Sequence, residues 1–172
     1  MRLRSLAILV ALVSCACNAG TNPGAPTADA ASGVGMPSPS APRATVAITI
    51  NPSPLVSADS GDPRAPRQAE WQVALRETGG VGATVNFVNA TLRDAATGVL
   101  ADPHGVLSQS ASDVLLVAGS NHLAAGASLT VPQTVAFSLS SGAEARGRLE
   151  VSVQLTDDAG NVVGASASAV VE

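Results

Sequence analysis

Leu149, Val151, Val153 and Leu155 alternate without a break with Glu150, Ser152 and Gln154. A period of two puts the apolar side chains on one face of an extended chain and the polar ones on the other. Asp157-Asp158-Ala159-Gly160-Asn161 then makes a tight hairpin turn, and Val162 to Val171 returns as a second strand of Val and small residues. A hairpin with one apolar face needs a second apolar layer to cover it. The rest of the chain is therefore read for strands that supply that layer.

They are present. Val46, Ile48 and Ile50 share one face of Thr45–Ile50, which Asn51-Pro52-Ser53-Pro54 ends before a Pro, Asp and Gly rich loop from Ser57 to Pro66. Trp71, Val73 and Leu75 alternate against Gln72, Ala74 and Arg76. Thr84 to Leu92 begins with Val85 and Phe87 on one face, then shifts phase to Val88, Ala90 and Leu92, as a β-bulge would require. Val99-Leu100 reads as a short edge strand after the turn Asp94–Gly98. Asp113 to Val117 is read as a strand on its length and the Gly119 that bounds it, with a short helical turn as the alternative. Ser128 to Leu139 carries Val131, Val135, Phe137 and Leu139, and Pro132 assigns its part of that strand to an edge or a bulge. Seven or eight short strands with no amphipathic helix predict an antiparallel sandwich.

Trp71 opening an early strand, the turn Glu77-Thr78-Gly79-Gly80-Val81-Gly82, the approach Ala124–Leu129 and the hairpin at Asp157–Asn161 together resemble the immunoglobulin-like modules of bacterial surface and periplasmic lipoproteins. The resemblance covers Ala44 to Glu172 and implies an all-β, immunoglobulin-like antiparallel sandwich. The antibody cysteine pair is absent, since Cys15 and Cys17 both precede the domain. A domain of about 130 residues buries enough apolar surface to fold without a disulfide. Sandwiches host many functions, so the fold alone assigns none.

The beginning of the chain is of another kind. Arg2 and Arg4 precede the uncharged run Leu6–Val13, too short for the roughly 20 residues a spanning helix needs. This is the pattern of a secretory signal peptide. Leu12-Val13-Ser14-Cys15 at its end resembles the lipobox of bacterial lipoproteins. The resemblance implies a signal peptide over 1–14, cleavage before Cys15, and a Cys15 thiolate converted to a diacylglyceryl thioether. Two or three acyl chains would give the stable anchoring that one chain does not. Ala16 is not the Asp that retains enterobacterial lipoproteins in the inner membrane, which points to the outer membrane. General cleavage before Cys17 with release of a soluble periplasmic or secreted protein is the first alternative and a retained membrane helix the second; Cys17 has no other evident role. Asn18 to Arg43 is a tether: Ala, Gly, Pro, Ser and Thr make up 20 of its 26 residues. Such a segment cannot bury enough to fold and spans about 30 Å as a flexible coil. Residues 15–43 thus form a lipidated N-terminus and linker, and 44–172 the domain.

Composition excludes some partners. The net charge is −4, all nine basic residues are Arg and no basic patch stands out. There is no Tyr, and the aromatics are Trp71, Phe87 and Phe137. Nucleic-acid binding leans on clustered cations and stacking rings, so none is expected.

The candidate chemistries are weak. Gly79-Gly80-Val81-Gly82 has the texture of a phosphate loop, but a strand follows where a helix N-terminus is needed, so it reads as a hairpin turn. Asp157, Asp158 and Asn161 offer oxygens to calcium, yet Ala159 and Gly160 fall where ligands would stand and turn chemistry explains the same residues. His104 and His122 sit in loops with no metal-ligand spacing. Arg146-Gly147-Arg148 reads as a solvated turn, and no G-x-S-x-G elbow exists. No catalytic residue, metal ligand or cofactor is expected. The expectation is a lipid-anchored envelope protein, not an enzyme, that presents a non-catalytic binding module to an envelope partner by docking or strand addition, with the Val99-Leu100 edge or the Pro132 strand as routes. A structural subunit of an envelope complex, a protease inhibitor and a hydrolase are the alternatives.

Overall fold

Alternation along the chain becomes two antiparallel sheets. The computed structural model describes residues 41–142 and 144–172. The chain divides into two units, Met1–Ser38 and Pro39–Glu172, and the described residues all belong to the second. In chain order the elements are β1 (Val46–Asn51), β2 (Ala58–Asp59), β3 (Arg67–Glu77), β4 (Ala83–Asp94), β5 (Asp102–Pro103), β6 (Val106–Ser110), α1 (Ala111–Ala118), β7 (His122–Leu123), β8 (Ser128–Ser138), β9 (Gly147–Asp157) and β10 (Val162–Val171). One sheet has the order β1-β3-β8-β5 with β2 beside β3; the other has β10-β9-β4-β6 with β7 beside β4.

The inward rows form one core. β3 contributes Trp71, Val73 and Leu75, β8 contributes Val131, Val135 and Phe137, and the other sheet answers with Leu149, Val151, Val153 and Leu155 of β9. All are buried. Each such Leu, Val or Phe contributes about 1.5–3 kcal/mol on leaving water. The phase shift in β4 is a real irregularity: the register against β9 slips between Val85 and Phe87. Val85, Val88, Ala90 and Leu92 are therefore all buried, while Phe87 turns to the outer face and is only half-buried.

Three expectations are corrected. The segment read as a strand at Asp113–Val117 belongs to α1. Ser110 accepts the Asp113 N–H, and the Asp113 carboxylate accepts the Ser110 N–H at 2.9 Å, which closes a capping box. Gly119 ends the helix at φ 75, a left-handed conformation glycine adopts without penalty, with its N–H on the Leu115 carbonyl. The Gly79–Gly82 turn is no hairpin, because β3 and β4 lie in different sheets and the turn carries the chain from one to the other. Val99-Leu100 is no strand; Leu100 makes a single bridge to Arg93.

The two open sides of the sandwich are closed differently. On the β1/β10 side, Leu55 runs parallel to Val171. Its N–H reaches the Val170 carbonyl at 2.8 Å, and its carbonyl receives the Glu172 N–H at 2.8 Å. Ser57 adds a third bond to the Glu172 carbonyl, and the Leu55 side chain is fully buried. On the β6/β8 side no such pairing occurs among the described residues. There α1 packs against β4, β6 and β8 through Val114, and the Gln133 amide of β8 donates to the Gln109 carbonyl of β6.

Candidate functional site

The buried polar groups are the first place to look for chemistry. Glu77, Asp94 and Asp157 each end a strand and are buried. Glu77 accepts N–H bonds from Thr45 at 3.2 Å, Gly79 at 2.6 Å, Gly80 at 3.0 Å and Gly126 at 2.8 Å. These bonds, Gly126 first, outweigh the opposing effect of burial and hold its carboxyl down at about 2. Asp94 accepts from Ala96, Thr97, Ser140 and Ser141, and the Ser141 bonds lead in holding it well below the usual carboxylate range. Burial alone would raise Asp157, but bonds from Asn161, Ala44 and Ala159 overcome it and its carboxyl is lowered. Each carboxylate is thus saturated by donors of its own fold, and it organises turns.

That accounts for two of the sequence candidates. The Gly79–Gly82 loop does cradle an anion, namely the Glu77 carboxylate of the same chain. Gly79 is required there for a second reason: a Cβ would fall 2.5 Å from the Arg43 carbonyl oxygen and 2.8 Å from the Thr45 N. Of the calcium candidates, Asp157 and Asn161 bond to each other, and Asp158 faces His122 at 3.1 Å. No group of three or more His, Cys, Asp or Glu suited to a metal occurs among the described residues. His104 is exposed in the turn between β5 and β6 and lies apart from His122. Arg146 pairs with Glu172 at 3.5 Å and Arg148 with Glu150 at 3.0 Å, all well exposed. Pro132 is exposed in the part of β8 that pairs with β3 alone. Cys15, Cys17 and the tether as far as Ser40 lie outside the described residues.

The feature that stands out is apolar. Of the nine large hydrophobic residues exposed among the described residues, six fall between residues 99 and 117: Val99, Leu100, Val106, Leu115, Leu116 and Val117. The register puts Val106 beside Thr91 and Leu100 beside Arg93, so these two are neighbours along the side of β4 that faces away from β9. α1 follows β6 directly and exposes Leu115, Leu116 and Val117 by 49, 84 and 43 %. Only Val114 of its large apolar residues faces the core. Strand alternation could not reveal α1; Ser110-x-x-Asp113 with Gly119 at the far end was the available signal.

Comparisons with known proteins bear on the fold. No protein-family profile and no curated protein sequence matches the chain. Among solved structures it is similar to a crystal structure from Bordetella pertussis given the provisional name ApaA protein, with a TM-score of 0.53 at 12% identity over 74% of this chain and 92% of that one. It is also similar to a Northeast Structural Genomics Consortium target, with a TM-score of 0.47 at 8% identity over 72% of this chain and 84% of that one. At 12% identity the first likeness concerns the fold alone.

Proposed function

We propose that this chain is an exported lipoprotein, acylated at Cys15 and tethered through residues 18–43, whose immunoglobulin-like sandwich is a non-catalytic interaction module of the cell envelope. The partner docks on the 99–117 margin. The observation that carries this reading is the concentration of six exposed large apolar residues in the segment 99–117, three of them consecutive on α1, with Leu116 exposed by 84 %. Soluble domains seldom leave such residues grouped in the open unless something covers them. The immunoglobulin-like class is supported by strand order. If β1, β3, β4, β8, β9 and β10 are strands A, B, C, E, F and G, the sheets read A-B-E and G-F-C, the division of that fold. β5 stands beside E where a D strand would, but it precedes β6, which is a departure. The anchor is supported by the Leu12–Cys15 pattern, and Ala16 favours the outer membrane.

The test is capture from intact cells after crosslinking, run on wild type, Leu116→Glu and Cys15→Ser. The expected result is a partner retained by wild type and lost with Leu116→Glu, and an N-terminal peptide that begins at Cys15 with acyl mass. Equal partners in wild type and Leu116→Glu would remove the docking margin. An unmodified Cys15 peptide would remove the anchor.

A further inference from the structure

At the end of the sandwich away from the Glu77 and Asp157 turns, two connections cross between the sheets. Leu55–Asp59 passes from pairing with β10 to pairing with β3, and Glu144–Arg146 leads from β8 to β9. Between them lies an open groove of about 580 Å³, within the range of small-ligand sites. Arg67, the first residue of β3, forms part of its lining.

The Arg67 guanidinium is held firmly but not neutralised. Its Nε and Nη2 donate to the Ser57 hydroxyl at 2.9 and 2.8 Å, its Nη1 donates to the Ala145 carbonyl, and its Cζ stands 5.2 Å from the centroid of the buried Phe137 ring. These acceptors are uncharged. A guanidinium has five N–H donors, and two of them find no acceptor among the described residues. No carboxylate lies within ion-pairing distance of it among those residues. The other charges of the groove are mostly engaged: Glu172 pairs with Arg146, and Asp59 accepts the Gly61 N–H at 2.9 Å in its own turn. Glu144 alone remains to act on Arg67 from a distance. Partial burial pulls the guanidinium below its ordinary value, and Glu144 pushes it back up.

The geometry points to a binding site for a carboxylate carried on a short apolar stem, with Arg67 as the group that receives it and Glu144 as the like charge that stands near it. A pre-positioned planar fork matches a carboxylate better than an ammonium does. Val56, Ala58 and Pro66 supply an apolar wall beside the fork. The site is independent of the 99–117 margin. A free organic acid and the end of a peptide share the same chemistry.

Titration calorimetry on the full chain distinguishes these sources, with three probes: isovalerate, the peptide acetyl-Ala-Ala-Val with a free carboxylate, and the same peptide as its amide. Binding of isovalerate and the free-acid peptide is expected, with the amide at least tenfold weaker. Peptide affinity well above that of isovalerate identifies a chain end; equal affinities identify a small acid. Glu144→Gln leaves the Arg67 contacts in place and is expected to tighten the free-acid peptide about 3- to 10-fold, since a like charge beside the ligand is gone. Arg67→Lys keeps the charge, loses the fork, and is expected to weaken it at least fivefold. No heat with either carboxylate, equal binding of acid and amide, or an unchanged affinity in Glu144→Gln would each overturn the site, even if the Arg67 variant failed to fold.

Discussion

The β1/β10 margin and the β6/β8 margin face the same problem. A two-sheet sandwich has two open sides, and its core must be shielded at both. The first is closed by main chain: Leu55 hydrogen-bonds in parallel to the last strand and inserts a fully buried side chain. The second is closed by a helix with one core anchor, Val114, and by a pair of glutamines. Backbone pairing satisfies polar groups there and leaves Val56, Val162 and Val170 exposed as separate residues of the strap and the last strand. The eight-residue helix instead turns three consecutive large apolar residues, Leu115, Leu116 and Val117, outward. One margin is thus sealed by main-chain bonds and the other by a single apolar anchor beneath an exposed helix, which is the surface the proposed docking would use.

This contrast can be broken by substitution. Leu55→Ala should cost the most, about 2–5 kcal/mol, because it empties a fully buried site that joins two sheets. Urea denaturation measures it, and a cost below 1 kcal/mol would mean the β1/β10 seam carries little. Val114→Ala, at the single core anchor of α1, should cost about 1–3 kcal/mol in the same assay. Gly119→Ala forces a side chain to φ 75 and should cost about 1–2 kcal/mol, with exchange protection lost in α1 before it is lost in β9. Leu116→Ser should change stability by less than about 0.5 kcal/mol, because the side chain it removes is in solvent. A large loss there would make Leu116 structural.

Acid sharpens a second contrast, between the turns built on buried carboxylates and the rest of the fold. The Glu77 carboxyl falls from an ordinary 4.5 to about 2 on folding, and Asp94 and Asp157 are also lowered. Their contribution is therefore complete above the unfolded values, and it is lost as pH falls through the folded ones. The denaturation midpoint should be flat above about pH 5 and drop between 4.5 and 2. Glu77→Gln should have a lower midpoint at neutral pH and a shallower acid slope. A slope equal to that of wild type would contradict the role given to Glu77.

Some of this was legible in the sequence and some was not, for physical reasons. β9 and β10 could be read to the residue because each face keeps one character along the whole strand. The bulge in β4 was legible because an inserted residue reverses the alternation between Val85 and Val88. α1 was hidden because three of its large apolar side chains serve no core, so it has no helical period. The sheet crossing at Gly79–Gly82 was hidden because the local sequence of a tight turn does not say which sheet the next strand joins. The pairing of Leu55 with Val171 spans too much chain for any local pattern to report. The acidic cages were half visible: Asp157 was read as a turn residue, but Thr45 and Gly126 reach Glu77 only through the fold.

The most direct test of the docking margin is in-cell photocrosslinking from two positions, Leu116 on the β6/β8 margin and Val162 on the β1/β10 margin. Both are strongly exposed, so access alone does not favour either. A discrete adduct is expected from position 116 and none from position 162. An adduct from 162 alone, or from neither position, would contradict the docking margin.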